Sequence, residues 1–127
     1  NMESSKILRV SLFVVLISLF FVSMAIAEKL EKRINFLDKV DKVDWYKVVG
    51  KKNVVIGWKG LPDNFYEWNQ KAAINASKSS LYEVSVWSVR HRQKNWKPGQ
   101  GGQICMTRAK YGRSDKTDCR KTKSRRR

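Results

Sequence analysis

The stretch that organises this chain is WYKVVGKKNVVIGW, residues 45–58. Residues 45–49 and 54–58 are rich in aromatic and β-branched side chains, which favour β-strands. Between them, residues 50–53 read GKKN, and a glycine followed by polar residues is typical of a tight turn. The sequence therefore predicts a β-hairpin over residues 45–58.

A second strand is predicted over residues 81–89, LYEVSVWSV. Alternate residues of a strand point to opposite faces, so Val84 and Val86 share one face while Ser85 and Trp87 share the other. Because Trp87 interrupts the polar face, we expect both faces of this strand to be covered.

The segment between the hairpin and this strand is less distinctive. Residues 65–73, FYEWNQKAA, contain three aromatic side chains within four positions and fit either a strand or an aromatic-rich loop. Asn75-Ala76-Ser77 follows and is an N-glycosylation sequon without a central proline. In a secreted chain it predicts a glycan on Asn75, at a surface position between two elements.

Apolar residues recur at helical spacing on the N-terminal side of the hairpin. Charged residues fill most of the gaps, and the apolar positions are Leu30, Ile34, Leu37, Val40 and Val43. This spacing predicts an amphipathic helix over residues 29–43 whose apolar stripe packs on its own domain. The dibasic pair Lys32-Arg33 leaves a second interpretation open, in which residues 28–33 are a pro-segment removed during secretion.

Residues 1–27 have the order of features typical of a secretory signal peptide. A positively charged start precedes an apolar run over residues 10–24, and Ala25 and Ala27 supply the small residues that a signal peptidase recognises. The run is shorter than the roughly 20 apolar residues of a spanning helix. A signal cleaved after Ala27 is therefore favoured over an uncleaved anchor or a buried core helix, and we expect a secreted, extracellular protein.

Charge is distributed unevenly along the rest of the chain. Residues 28–89 contain 11 Lys or Arg and 8 Asp or Glu, whereas residues 90–127 contain 14 Lys or Arg and only two Asp. From Thr107 onward almost no aliphatic residues remain, so the sequence predicts a basic, largely disordered arm over residues 105–127. Such an arm attracts polyanions at low salt, or it is a solvated tail that keeps the protein in solution.

Two cysteines, Cys105 and Cys119, fall within this arm. An oxidising secretory route favours a disulfide between them. The closed loop would contain about fifteen residues, for which chain entropy gives roughly 3 kcal/mol of stabilisation. Free thiols, or a bond to another chain, are the alternatives.

Few residues are candidates for catalysis or metal binding. His91 is the only histidine, and one histidine does not supply the separate acid and base of a ribonuclease-like reaction. The sequence has no GxSxG, HExxH or Walker motif, and two cysteines with one histidine are too few for structural zinc. Asp38, Asp41 and Asp44 alternate with lysines and lack the glycine of a calcium loop. We therefore expect no enzymatic activity, no cofactor and no small-molecule substrate.

One tryptophan lies in the basic region. Trp96 is placed between Asn95 and Lys97, where an aromatic ring beside cations can stack on a base or a sugar. The other four tryptophans lie in the β-rich half of the chain, where we expect them to pack in the core.

Several short motifs resemble those of a known family. VVIGWKG from Val54 is followed closely by Asp63, then by the strand LYEVSVWSV and by a GQGG loop at residues 99–102. Over residues 54–102 the chain is similar to the insect family named for the second multiprotein bridging factor, which includes small secreted and salivary peptides. The resemblance implies a compact β domain and, from the founding member, a transcription-coactivator function; no functional residue is carried over.

The resemblance stops at Gly102. The family pattern continues with a second glycine pair, further strands and an apolar final strand, whereas here the chain reads QICMTRAKYGRSDKT before the basic tail. Part of the family's sheet is therefore expected to be missing.

Together these patterns predict an α+β or mainly β fold with an N-terminal amphipathic helix, a small antiparallel β domain and a basic C-terminal arm. The expected boundaries are residues 1–27 for the signal peptide, 28–44 for the helix or linker, 45–104 for the β-rich domain and 105–127 for the arm.

The leading functional hypothesis is an extracellular, non-enzymatic binding or effector protein. Its arm would engage polyanions such as glycosaminoglycan, anionic membrane or nucleic acid, without sequence specificity. The alternatives are a cationic host-defence peptide and a bridging-factor-like transcription coactivator. The predicted polyanion-binding residues are Arg113, Lys116, Arg120, Lys121, Lys123, Arg125, Arg126 and Arg127.

Overall fold

Five strands form one mixed sheet in residues 28–120, the part of the chain that the computed structural model describes. The strands lie side by side in chain order. Their bounds are β1 Val43–Val49, β2 Asn53–Trp58, β3 Val84–Arg90, β4 Cys105–Lys110 and β5 Arg113–Cys119.

Two sets of predicted residues lie outside the described range. The signal peptide over residues 1–27, with its cleavage residues Ala25 and Ala27, is one of them. The other consists of the last five predicted polyanion-binding residues, which are Lys121, Lys123, Arg125, Arg126 and Arg127.

The N-terminal stripe forms helical structure and packs on its own domain. Residues 28–34 form helix α1, which continues as a 3-10 helix over Asn35–Lys39. Leu30, Ile34 and Leu37 are completely buried, as the spacing predicted. The predicted end at residue 43 is wrong, because the chain turns after Lys39 and Val43 already belongs to β1.

The predicted hairpin over residues 45–58 is confirmed. β1 pairs antiparallel with β2, so that Val48 lies opposite Val54 and Tyr46 lies opposite Ile56. Gly50 adopts a φ of 66°, in the region that glycine tolerates without steric cost. The local propensities and the turn residue thus determine this hairpin.

The expectation of a strand or loop over residues 65–73 is wrong, since Phe65–Ser77 forms helix α2. Its buried residues recur at helical period and include Phe65, Ala72 and Ala76. The helix carries the chain back across the sheet, so β2 and β3 pair in parallel. The sheet is therefore mixed rather than antiparallel as expected.

The strand predicted over residues 81–89 starts later, at Val84. Val84 and Val86 are fully buried in the main core, and Trp87 packs on the opposite face beside Trp96, with ring centroids 5.5 Å apart. The expectation that both faces of this strand are covered is confirmed. Leu81 instead precedes the strand and is 80% exposed.

The predicted arm is folded over much of its length. Residues 105–119 form β4 and β5, which pair antiparallel at the edge of the sheet. Tyr111 and Gly112 have φ values of 51° and 80°, as a two-residue type I′ turn requires. The expected boundary at residue 104 therefore lies inside the fold, and the sheet expected to be incomplete gains two strands.

The fold has two layers and a partial third. Most of the buried side chains lie between the sheet and its helices, and this main core includes Leu37, Ile56 and Val86. The other face, here called the outer face, carries a smaller cluster around Val55, Val89 and Trp96. The loop over residues 91–103 covers this cluster, and on the β4–β5 part of the outer face Met106 is buried while Arg108 and Lys110 are exposed.

Candidate functional site

Alternation along β4 separates a buried side from a charged side. Cys105, Thr107 and Ala109 are fully buried toward the helices. The alternate residues Arg108 and Lys110 are exposed on the outer face. The strand therefore presents two cations to solvent while its other side completes the core.

The register with β5 brings two further cations beside them. Lys116 lies opposite Arg108, and Arg113 lies opposite Lys110. Directly opposite side chains have Cβ atoms about 5 Å apart, and like charges at that distance repel. We call these four residues the cationic face: Arg108, Lys110, Arg113 and Lys116.

No carboxylate within residues 28–120 neutralises the cationic face by direct pairing. The sole acid–base contact within 4.0 Å in that range joins His91 Nδ1 to Asp44 Oδ2, at 3.5 Å. Asp115 and Asp118 lie on β5 itself but form no such pair. Within residues 28–120 no carboxylate therefore offsets this repulsion by direct contact.

The loop over residues 91–103 adds positive charge to the same side of the molecule. Its backbone is fixed to the outer side of β1, because Lys47 Nζ donates to the Lys94 carbonyl and Trp45 Nε1 donates to the His91 carbonyl, each at 2.8 Å. The exposed cations of this loop are Arg92, Lys94 and Lys97.

Trp96 does not stack on a ligand in this arrangement. It is 2% exposed, packs against Trp87, and donates from Nε1 to the Gly101 carbonyl at 2.7 Å. The proposed stacking role is therefore wrong, and the ring instead anchors the glycine-rich loop over the outer cluster.

A buried polar network fixes β4 and β5 from the inner side. Asn69 on α2 donates to Thr107 Oγ1 at 2.8 Å and to the Val86 carbonyl at 3.1 Å, and accepts from Ser88 Oγ. Each member has a partner, so none carries the cost of an unsatisfied buried group. This set, the Asn69 network, consists of Trp58, Ser88, Asn69, Thr107, Thr117 and Gln70.

The disulfide is the second constraint on the hairpin. Cys105 and Cys119 lie opposite each other in the β4–β5 register and are bonded, so the predicted pairing is confirmed. The bridge closes the open end of the hairpin, and the Tyr111-Gly112 turn closes the other end. The cationic face therefore sits between two fixed ends, which holds its charges in place.

The structure brings together only part of the predicted site. Arg113 and Lys116 lie on the cationic face, and Arg120 is exposed just after β5, its amide donating to the Ile104 carbonyl at 2.9 Å. Arg108 and Lys110 were missed. The position of Tyr111-Gly112 midway between the two cysteines was the signal for a hairpin that would have included them.

Asn75 lies in the last turn of α2 and is half-buried, so the expected position between elements is wrong. Ser77 Oγ of the sequon is engaged in the fold, because it donates to the Ile74 carbonyl and accepts from the Gly112 amide, both at 2.8 Å. The glycan on Asn75 stays a prediction.

Residues 28–120 contain neither a cluster of metal-binding side chains nor a helix that could span a membrane. No three His, Cys, Asp or Glu side chains in that range lie close enough together to hold a metal ion. None of the helices there has both the length and the apolar character needed to cross a bilayer.

Comparison with known proteins gave no significant match, whether to family models, to curated proteins or to solved structures. The resemblance to the bridging-factor family therefore stays a prediction, and the function must be inferred from the surface itself.

Proposed function

We propose that the protein is a secreted, non-enzymatic binding protein that engages an extended extracellular polyanion through the cationic face. The observation that carries this proposal is the cross-strand pairing of Arg108 with Lys116 and of Lys110 with Arg113, without carboxylate partners in residues 28–120. A fold that holds like charges opposite one another is most stable when an anion lies between them.

The spacing of the charges favours a linear ligand. Residues two apart on a strand are about 6.6 Å apart along it, and adjacent strands are about 4.8 Å apart. A chain with an anionic group at every few ångströms can contact all four cations at once, whereas a single small anion reaches only one pair. Arginine also binds sulfate or phosphate oxygens through two parallel N–H groups.

A polyanion lying along β5 would meet further charge at the end of that strand. From Arg113 to Arg120 the backbone extends about 23 Å, and Arg120 precedes a segment rich in Lys and Arg. The basic terminus is thus continuous in sequence with the folded face. The disulfide between Cys105 and Cys119 supports an extracellular, sulfated polysaccharide as the partner, since such bonds persist in oxidising compartments.

Heparin-affinity chromatography tests this proposal. The double variant Arg108→Ser, Lys116→Ser should elute at distinctly lower salt than the wild-type protein, because two direct anion contacts are lost. The matched control Lys29→Ser, Lys39→Ser removes the same charge from exposed positions on the α1 side and should elute close to wild type. Equal shifts in both variants would mean that only net charge matters, and the proposed site would be wrong.

Truncation separates the folded face from the terminus. Deleting residues 120–127 should also lower the elution salt, since it removes six Lys or Arg residues from the chain. If this deletion abolished retention while the Arg108→Ser, Lys116→Ser variant behaved like wild type, the terminus alone would be the binding element.

A further inference from the structure

Most of the exposed apolar surface is concentrated at one end of the sheet. Within residues 28–120, four large hydrophobic side chains are exposed, and their exposed fractions are 43% for Tyr66, 80% for Leu81, 42% for Tyr82 and 69% for Tyr111. Three of these precede β3 or form the β4–β5 turn. Only Tyr66, on α2, lies elsewhere.

The pairing of β3 with β4 places the three side chains together. Val84 lies opposite Ala109, so Tyr82 and Tyr111, each two residues beyond that pair, emerge from the same end. Both segments are tied to the fold: the Gly112 amide donates to Ser77 Oγ at 2.8 Å, and the Ser85 amide donates to the Lys52 carbonyl at 2.8 Å.

Cations surround this apolar group. Lys110 Nζ lies 5.3 Å from the centroid of the Tyr111 ring, and Lys78 runs alongside Gly112. We define the sheet tip as the exposed Leu81, Tyr82 and Tyr111 together with the cations Lys51, Lys52, Lys78, Lys110 and Arg113.

Tyr82 also forms one wall of an open groove of about 420 Å³. The β1–β2 turn forms the opposite wall and contributes Lys51 and Lys52, and Val49 lines the apolar part. An aromatic wall facing two ammonium groups is suited to a phosphate-bearing headgroup with an apolar extension.

We propose that the sheet tip docks on the surface of a bilayer that contains anionic phospholipid. Leu81, Tyr82 and Tyr111 would enter the interfacial layer, where amphipathic rings and short apolar side chains are favoured. The surrounding lysines and arginine would contact headgroup phosphates, to which each basic residue near the surface adds attraction.

The bilayer fits the tip better than a protein partner does. The apolar groups stand out from two turn segments, and the five cations of the tip outnumber its one neighbouring carboxylate, Glu83. This excess of positive charge complements a flat, anionic and deformable surface. The inference goes beyond the proposed polyanion function. Lys110 and Arg113 belong to both surfaces. In contrast, Arg108 and Lys116 lie outside the tip, and the apolar tip residues lie outside the cationic face. Substitutions confined to those unshared residues therefore test the two proposals separately.

Vesicle sedimentation tests the docking. Wild-type protein from a secretory host should bind phosphatidylcholine vesicles that contain phosphatidylserine, and should bind pure phosphatidylcholine far more weakly. The variant Leu81→Ser, Tyr111→Ser should bind the anionic vesicles at least about ten-fold more weakly, since two apolar side chains no longer leave water. The control Tyr66→Ser, an exposed aromatic away from the tip, should bind like wild type.

One further variant and a second assay make the result decisive. Leu81→Trp should bind anionic vesicles more tightly than wild type, which no loss of folding can imitate. Heparin elution of the Leu81→Ser, Tyr111→Ser variant should stay at the wild-type salt concentration, so that this proposal and the polyanion function fail separately. Wild-type protein that ignores anionic vesicles, or a tip variant that binds them as wild type does, would overturn the docking proposal.

Discussion

The two hairpins at the edges of the sheet are built in opposite ways. In the β1–β2 hairpin, Val54, Val55 and Ile56 are fully buried. In the β4–β5 hairpin, every residue of β5 is exposed or half-buried, and the strand is mostly charged or hydroxylated. The first hairpin is stabilised by apolar burial on both faces. In the second, the buried apolar side chains come from β4, and β5 depends on backbone pairing, a disulfide and the Asn69 network.

This difference determines which hairpin carries exposed charge. A strand whose stability depends on apolar contacts on both faces has no side chains left for a ligand. A two-stranded hairpin held by covalent and polar links on one side can place four cations on the other side, two from each strand. Exposed positive charge therefore accumulates on β4 and β5 and not on β2.

The largest expected effect breaks the apolar hairpin. Ile56→Ala should lower the free energy of unfolding by about 2–5 kcal/mol, because it leaves a cavity in the main core. Lys116→Ala on β5 should change it by less than about 0.5 kcal/mol. Urea denaturation monitored by tryptophan fluorescence measures both, and similar losses at the two positions would contradict the contrast between the hairpins.

The next effect tests the covalent constraint. Replacing both Cys105 and Cys119 with alanine should cost roughly 3 kcal/mol, since the unfolded chain regains the freedom that the bond removes. The loss should appear in denaturation under non-reducing conditions. A double variant as stable as wild type would show that the bond does not constrain the β4–β5 hairpin.

The Asn69 network gives a smaller effect. Asn69→Ala should lower the free energy of unfolding by about 1–3 kcal/mol, because Ser88 Oγ loses its acceptor and the Val86 carbonyl loses its donor in a buried site. Asn95→Ala, in the exposed part of the basic loop, is the matched control and should be nearly neutral. Midpoints of thermal or urea unfolding report both changes.

The smallest expected effect concerns the ionisation of Tyr46 on β1. Burial, reinforced by a hydrogen bond of 2.8 Å to Asp38, raises the pKa of Tyr46 to about 12 from its usual 10.0. The folded state therefore holds this proton more tightly than the unfolded state. The resulting stability is fully present below pH 10.0 and is lost as the pH rises through about 12.

Tyr46→Phe tests this directly. The wild-type protein should lose more stability than Tyr46→Phe between pH 10.0 and pH 12, so the difference between their unfolding free energies should shrink. A difference that stays constant over that range would mean that Tyr46 titrates alike in both states.

The sequence alone predicted those parts of the fold whose signals are local and apolar. The β1–β2 hairpin and the buried stripe of Leu30, Ile34 and Leu37 follow from propensity and spacing. Helix α2 was missed because Asn69, a polar residue, occupies the centre of its buried side. Because the helix was missed, the parallel pairing of β2 with β3 was missed as well, since parallel neighbours need a crossover connection such as this helix.

The candidate site was predicted in part for a similar reason. Net charge identified Arg113 and Lys116, but the scarcity of aliphatic residues from Thr107 onward was taken as the sign of a disordered arm. In the structure Thr107 is completely buried, since its hydroxyl has partners in the Asn69 network. Composition does not distinguish a polar residue that is buried with a partner from one that faces water.

The central claim is that the binding charge belongs to a folded hairpin. A titration of ¹⁵N-labelled protein with a short heparin oligosaccharide, followed by two-dimensional NMR, tests it most directly. We predict dispersed, β-type amide shifts throughout residues 105–119 before ligand is added, with the largest ligand-induced changes at Arg108, Lys110, Arg113 and Lys116. Random-coil shifts over residues 105–119, with ligand-induced changes confined to residues 121–127, would contradict the account.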